Sequence, residues 1–281
     1  MLKVTFFGTT TLLFDDGTDQ ILFDAHFTRP SLIKYIAGAK VKTNTRLCDK
    51  LIRIHHIDRL RAIFISHTHH DHVMDAPYVA NRCGATIYGS SSAKNVAIGG
   101  GVPEDRIEVF QDESEYSIGE YKIRILKSLH SKPTKLNDDL GVPIEEPLVQ
   151  PASLRDYKEG GSYDFYIEHG EKKILIRPSF NYIEGQLNGI KADVLFLGVA
   201  GLAKADETME TAFFAETVEK TDAHLVIPVH WDNFFAPLQK PIEGMPKVIE
   251  KTDVVFHKLA GYCEAHDVDY LIQYPCTSIG I

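Results

Sequence analysis

The stretch Arg61-Ala62-Ile63-Phe64-Ile65-Ser66-His67-Thr68-His69-His70-Asp71-His72 decides how this chain is read. Its first half is a continuous apolar run of the kind that forms a strand buried on both faces. The second half packs four histidines and an aspartate directly against the end of that strand. Loops at strand ends of layered α/β proteins carry chemistry on a rigid frame. In extended backbone, residues two apart share a face, so His67 and His69 can ligate one metal ion together. Asp71 and His72 follow where the chain turns toward a helix; they point elsewhere and can hold a second ion nearby. Neutral imidazole and carboxylate are ligands for Zn²⁺ and related divalent ions. The plain alternative is a solvated polar loop, and the HxHxDH order speaks against it.

Working outward, short β-branched and aromatic runs recur between turn residues. Lys3 to Phe7, Thr11 to Phe14 and Gln20 to Asp24 read as a meander, with a turn at Asp15-Asp16-Gly17. Asp75 to Cys83, stopped by Gly84, reads as a helix, and so does Ser90 to Ile98 before Gly99-Gly100-Gly101. Strands are expected at Ala85 to Tyr88, Arg106 to Phe110, Glu115 to Ile118 and Tyr121 to Leu129. Further strands are expected at Tyr163 to Glu168, Lys172 to Ile176, Val194 to Leu197, Leu225 to Val229 and Tyr270 to Gln273. Asp206 to Lys220 reads as a helix with Asp206 as its N-cap. Val248 to Lys251 and Lys258 to Ala265 read as helices around a strand, Val254 to Phe256. Between Ser131 and Gly161 the pattern fails, with prolines at 133, 143, 147 and 151. A loop that long inside a compact domain is a lid, a binding loop or an insert. Both halves run from meander to alternating strands and helices, which implies one α/β domain over 1–281 with two packed sheets and helices outside.

Composition narrows the function. The 281 residues are 44% hydrophobic and 25% charged, as in ordinary globular proteins, and the net charge is −9. A broad basic face for nucleic acid is not expected. No apolar run is long enough to span a bilayer. The N-terminus alternates like a strand rather than a signal peptide. Cys48, Cys83, Cys263 and Cys276 form no CxxC pair and read as free thiols in a reducing cytoplasm. Among the 13 histidines, two more sit at strand ends: His130 after Tyr121 to Leu129, and His230 after Leu225 to Val229. A strand-end histidine alone is more often a surface residue; three strand-end sites sharing one residue type argue for convergence.

These residues resemble the metallo-β-lactamase superfamily of metal-dependent hydrolases over nearly the whole chain. The resemblance runs from Gly8-Thr9-Thr10-Thr11-Leu12-Leu13-Phe14 and Ile21-Leu22-Phe23-Asp24, through the 67–72 segment and His130, to His230-Trp231-Asp232-Asn233-Phe234. The His-Trp ending is similar to the branch with ascorbate-phosphate lactonases and N-acylphosphatidylethanolamine-hydrolysing phospholipase D enzymes. The resemblance implies a four-layer αβ/βα sandwich with a metal site at one edge between two mixed sheets. It implies a first metal site of His67, His69 and His130 and a second of Asp71, His72 and His230. Asp24 would orient a ligand histidine. Where the family places a metal-bridging Asp, the stretch Arg177-Pro178-Ser179 offers Ser179. A neutral hydroxyl there removes one negative charge between two dications, which weakens the pair.

The reading that follows is a hydrolase with one or two divalent ions, zinc first and manganese or iron as alternatives. A metal-activated water would attack an ester-type bond, a phosphodiester or a lactone, with Asp71 as the catalytic carboxylate. The partner would be a small or lipid-like anionic substrate, and a homo-oligomer is compatible with the sequence. His26 and Arg177 are candidates for lining the pocket, Arg177 facing an anion or Asp71, and Trp231 for supporting His230 from behind. A mononuclear iron oxygenase on the same fold and a non-catalytic metal-binding homologue are the competing readings.

Overall fold

The computed structural model describes residues 1–133 and 138–281. Four residues of the expected lid, 134–137, lie outside the described residues.

The strands are β1 (Lys3–Phe6), β2 (Leu12–Asp15), β3 (Gln20–Phe23), β4 (Lys40–Val41), β5 (Leu60–Phe64), β6 (Thr86–Gly89), β7 (Ile107–Val109) and β8 (Glu115–Ile118). The second half adds β9 (Tyr121–Ser128), β10 (Ala152–Ser153), β11 (Ser162–His169), β12 (Lys172–Arg177), β13 (Val194–Gly198), β14 (Leu225–Val229), β15 (Asp269–Tyr270) and β16 (Thr277–Gly280). The helices are α1 (Leu32–Ile36), α2 (Thr45–Ile54), α3 (His70–Val73), α4 (Ala76–Cys83), α5 (Ser91–Gly99), α6 (Glu207–Phe214) and α7 (Thr252–Ala265).

Two seven-stranded sheets form, in the orders β16-β1-β2-β3-β5-β6-β7 and β15-β14-β13-β12-β11-β9-β8. Both are mixed. β1, β2 and β3 are antiparallel, whereas β3, β5, β6 and β7 run parallel. In the second sheet β9, β11 and β12 are antiparallel and β12 to β15 parallel. The fully buried patterns of β3, β13 and most of β5 reflect coverage on both faces.

One apolar cluster joins the sheets. Phe23 of the first sheet meets Phe165 of the second at 5.1 Å, and Phe14 meets Phe196 at 5.9 Å. Such pairs add about 0.5–1.5 kcal/mol each beyond the area they bury. A second cluster packs the outer face of the first sheet against α2, α4 and α5 through Leu47, Leu51, Val79, Ala80 and Val96. α6 and α7 cover the second sheet with Phe213, Phe214, Val255, Leu259 and Cys263. This is the layered α/β sandwich that the sequence resemblance implies.

Three expectations fail. Residues 254–256 are not a strand: the run lies inside α7, whose buried positions Val255, Leu259 and Cys263 recur every four residues. β-Branched residues there obey the helical burial period rather than their own strand preference. The helix expected at 248–251 is absent. The 131–161 stretch is not structureless, since Ala152–Ser153 pairs with Lys40–Val41 and Leu154–Asp156 forms a capped helical turn.

Candidate metal centre

Residues that follow β3, β5, β9 and β14 meet at one edge of the sandwich. One ligand atom from each of His67, His69 and His130 lies within 4.8 Å of the others, and the same holds for Asp71, His72 and His230. The two trios adjoin, with the His67 and His72 rings 3.7 Å apart.

Three of the rings are aimed by a partner on the far side. His72 Nδ1 donates to Asp24 Oδ2 at 2.7 Å. Asp24 also accepts from Ser66 N, Ser66 Oγ and Thr10 Oγ1, and its backbone is left-handed, at φ 53°. His130 Nδ1 donates to Ser131 O at 2.9 Å, and His69 Nε2 to Asp139 Oδ1 at 3.0 Å. The opposite ring nitrogens of these three are thereby left as lone-pair donors. His67 Nε2, His72 Nε2 and His230 Nδ1 are buried without a hydrogen-bond partner. Buried polar atoms are ordinarily paired, so unpartnered imidazole nitrogens on residues of both trios fit a divalent-cation site.

The electrostatics agree. Burial, reinforced by neighbouring histidines, holds His67 well below the usual imidazole range and pushes His130 down to about 3. Both are neutral at pH 7, as ligands must be. Burial would raise Asp71, but His72, His230 and His70 more than offset it, and the carboxyl ends well below its ordinary value. Burial would lower His230, but Asp71, 3.4 Å from its Nε2, turns the net shift upward.

His230 sits at φ 60°, a conformation that costs a non-glycine residue about 1–3 kcal/mol. Its N–H donates to Thr9 O at 2.6 Å, and Asp232 Oδ1 accepts from Thr9 N at 2.7 Å. Arg29 locks both turns, pairing with Asp232 at 2.7 Å and donating to Phe7 O and Asn233 O. Gly8 has no side chain because a Cβ would collide with Arg29 and Asp232.

The remaining candidates separate. Ser179 follows β12 and lines the cavity above the trios. Arg177 does not face Asp71: it is fully buried and paired with Asp164 at 3.2 Å, while its Nη2 donates to Asn181 O. The alternation of β12 puts Arg177 on the face opposite Ile176, whose register partners Phe165 and Phe196 meet the first sheet. His26 is fully buried behind His70, ring centroids 5.9 Å apart, and is not part of the cavity wall. Trp231 points away from the cluster and packs on Phe256 and Tyr274.

A cavity of about 510 Å³ opens over the trios. Tyr35, Phe234, Phe235 and Met209 form apolar walls, and Lys132, Arg155, Lys158 and Lys204 stand around it. His70 belongs to this wall, its ring near-parallel to Phe235 and tilted against Tyr35. Burial pushes His70 down to about 4. Sequence reasoning did not single out Asp139, His70 or the aromatic wall. Only the adjacency of His70 to the ligand run offered a signal.

The depressed histidines have a measurable consequence. His70 and His130 titrate below the ordinary value of about 6.5 when folded, so the unfolded chain takes up protons first. The stability they contribute is complete above about pH 6.5 and declines as pH falls toward their folded values. At pH 5 each is expected to have lost about 2 kcal/mol. Thermal melts of chelator-treated protein should therefore fall by about 10 °C between pH 8 and pH 5. A flat profile contradicts buried neutral histidines.

Comparison with known proteins agrees with this geometry. The model of the β-lactamase superfamily domain matches residues 19–231. A UPF0173 metal-dependent hydrolase of Heliobacterium modesticaldum is 33% identical over 267 residues, covering 92% of this chain and 95% of that protein. Among solved structures, the metallo-β-lactamase fold protein YhfI of Bacillus subtilis superposes with a TM-score of 0.61 at 14% identity over 100% of both chains. The isothiocyanate hydrolase from Delia radicum gut bacteria gives 0.60 at 14% identity over 99% of both. Fold, domain model and relative together show that the chain belongs to the metallo-β-lactamase superfamily of metal-dependent hydrolases.

Proposed function

We propose that this hydrolase cleaves an ester-type bond, a phosphodiester or a lactone, of an anionic small or lipid-like molecule. The observation that carries the reading is the pair of adjoining ligand trios, His67, His69 and His130 beside Asp71, His72 and His230, of which His69, His130, Asp71 and His230 line the cavity. A divalent cation bound there, zinc first, lowers the pKa of water toward neutrality and polarises a carbonyl or phosphoryl oxygen. Asp71 would accept a hydrogen bond from the attacking water and so orient it. Lys132, Lys158, Lys204 and Arg155 share the lining with Asp138, Asp139, Asp206 and Glu250, so an anionic group would be held at the cation and by individual lysines rather than by a uniformly basic wall, and Tyr35, Phe234 and Phe235 suit an apolar body beside it. Cys48, Cys83, Cys263 and Cys276 are all unpaired, which suits a reducing compartment such as the cytoplasm.

Within the two trios Asp71 is the single negative charge, and Ser179 adds none. Two dications would repel across that gap, so one is expected to bind tightly and the second weakly. Elemental analysis with a zinc titration should find one tight equivalent, and Ser179→Asp should strengthen the second. Turnover of wild-type, zinc-loaded protein on phosphodiesters and lactones supports the reading. Inactivity across that panel together with tight metal uptake favours a non-catalytic role. Oxygen consumption by iron-loaded protein favours an oxygenase.

A further inference from the structure

His69 is more exposed than His67, the other histidine its trio takes from the segment after β5, and its outer nitrogen is held by a residue no spacing argument reaches. His69 Nε2 lies 3.0 Å from Asp139 Oδ1, with both side chains largely shielded. Asp139 belongs to the 131–161 stretch, 70 residues away along the chain. We propose that Asp139 is a positioning residue for the cation site, fixing the tautomer and ring rotation of His69 so that Nδ1 stays turned toward His67 and His130. The inference rests on the reading that this trio holds a cation.

The backbone of His69 is already set, because it precedes α3 in an extended conformation at φ −60° and ψ 150°. Ring rotation and proton placement are what remain free. A neutral imidazole carries its proton on either nitrogen, and the hydrogen bond made by one nitrogen decides the state of the other. The Asp139 carboxylate can only accept, so it selects the Nε2–H form and leaves the Nδ1 lone pair to the cation.

Asp139 is itself held from the same place that holds the ligand segment. Its carbonyl accepts from Val142 N at 3.0 Å, and Val142 O accepts from Gly160 N at 3.1 Å. The buried Glu159 carboxylate accepts from Gly141 N at 2.8 Å, Gly161 N at 3.0 Å and Ser162 Oγ. The backbone carbonyl of Glu159 accepts from Thr68 N at 2.9 Å, between His67 and His69. Gly160 lets this approach happen: a Cβ there would strike Thr68 and Ser92. A closed ring results, in which Glu159 grips Thr68 with its backbone and the 139–142 turn with its side chain, while Asp139 returns to His69. This part of the chain acts as a brace for the cation site as well as a wall.

The test measures metal binding rather than turnover. Zinc dissociation constants from chelator competition, and the Co²⁺ absorption spectrum, are compared for wild type, Asp139→Ala, Asp139→Asn and Glu145→Ala, the last an exposed acid on the same stretch. Asp139→Ala should weaken the first equivalent about 10–100-fold and alter the Co²⁺ spectrum. Asp139→Asn, whose Oδ1 still accepts, should recover most of the affinity, and Glu145→Ala should match wild type. The melting temperature of chelated Asp139→Ala should stay near that of chelated wild type. Wild-type affinity in Asp139→Ala overturns the inference alone, as does a loss fully explained by a lower melting temperature of the chelated variant. A wild-type protein that takes up no cation overturns the site itself, and the inference with it.

Discussion

Asp71→Ala is expected to lower turnover by about two to four orders of magnitude, the usual worth of a positioned acid–base group, with the far-UV circular dichroism unchanged. Asp71 is the only carboxylate of the two trios, and it is ionised because His72, His70 and His230 surround it. On the proposed reading, removing it takes away the negative charge that would balance a dication and the acceptor that would orient water. The fold should survive, since Asp71 contributes to no strand pairing and α3 is a single short turn. Asp71→Asn separates the two losses: it keeps the shape and an acceptor but loses the charge. Turnover in Asp71→Ala equal to wild type removes Asp71 from the chemistry.

Arg177→Met is expected to cost about 3 kcal/mol of stability, near the lower end for breaking a buried ion pair. Its partner Asp164 is buried with it, at 3.2 Å, between β11 and β12. Burial raises the Asp164 carboxyl and the guanidinium opposes that rise. Without Arg177, Asp164 takes up a proton instead of staying charged, which limits the loss. The double variant Arg177→Met/Asp164→Leu should recover most of it in urea unfolding, because two apolar side chains replace two desolvated ions. The single variant should also loosen the site. Arg177 Nη2 donates to Asn181 O, and Asn181 Nδ2 donates to His130 O at 2.7 Å. Equal unfolding midpoints for Arg177→Met and wild type contradict this account.

What the sequence made legible was local. His67, His69, Asp71 and His72 lie within six residues, so their spacing alone suggests a shared purpose. The buried strands announced themselves by runs such as Ala62 to Ile65 and Val194 to Leu197. His130 and His230 were found because each ends such a run. The misses follow from long-range geometry. Val254-Val255-Phe256 favours a strand locally, yet the burial of Val255, Leu259 and Cys263 makes it helix. α2 went unnoticed although Leu47, Cys48 and Leu51 form its buried stripe, because the polar residues between them masked the period. β16 is short and mostly exposed, with no alternation to read. Arg177 was placed near the cleft because it stands two residues before Ser179; Ser179 lies beyond the end of β12, so the two need not share a face, and the Asp164 that captures Arg177 is remote in sequence. Asp139 sits in polar chain with no periodicity at all.

The donors of the two trios follow β5, β9 and β14 and are braced by the frame, whereas Tyr35, Phe234 and Phe235 of the cavity wall come from α1 and the segment after β14. Tyr35 of the wall thus lies apart from every donor segment, while Phe234 and Phe235 share the segment that carries His230. Exchanging Tyr35 on α1 or Phe235 beyond residue 233 would retune which molecules are accepted while leaving the ligand residues in place. That partition gives this scaffold a route to new chemistries by drift in its periphery, and makes those two segments the natural targets for library-based redesign.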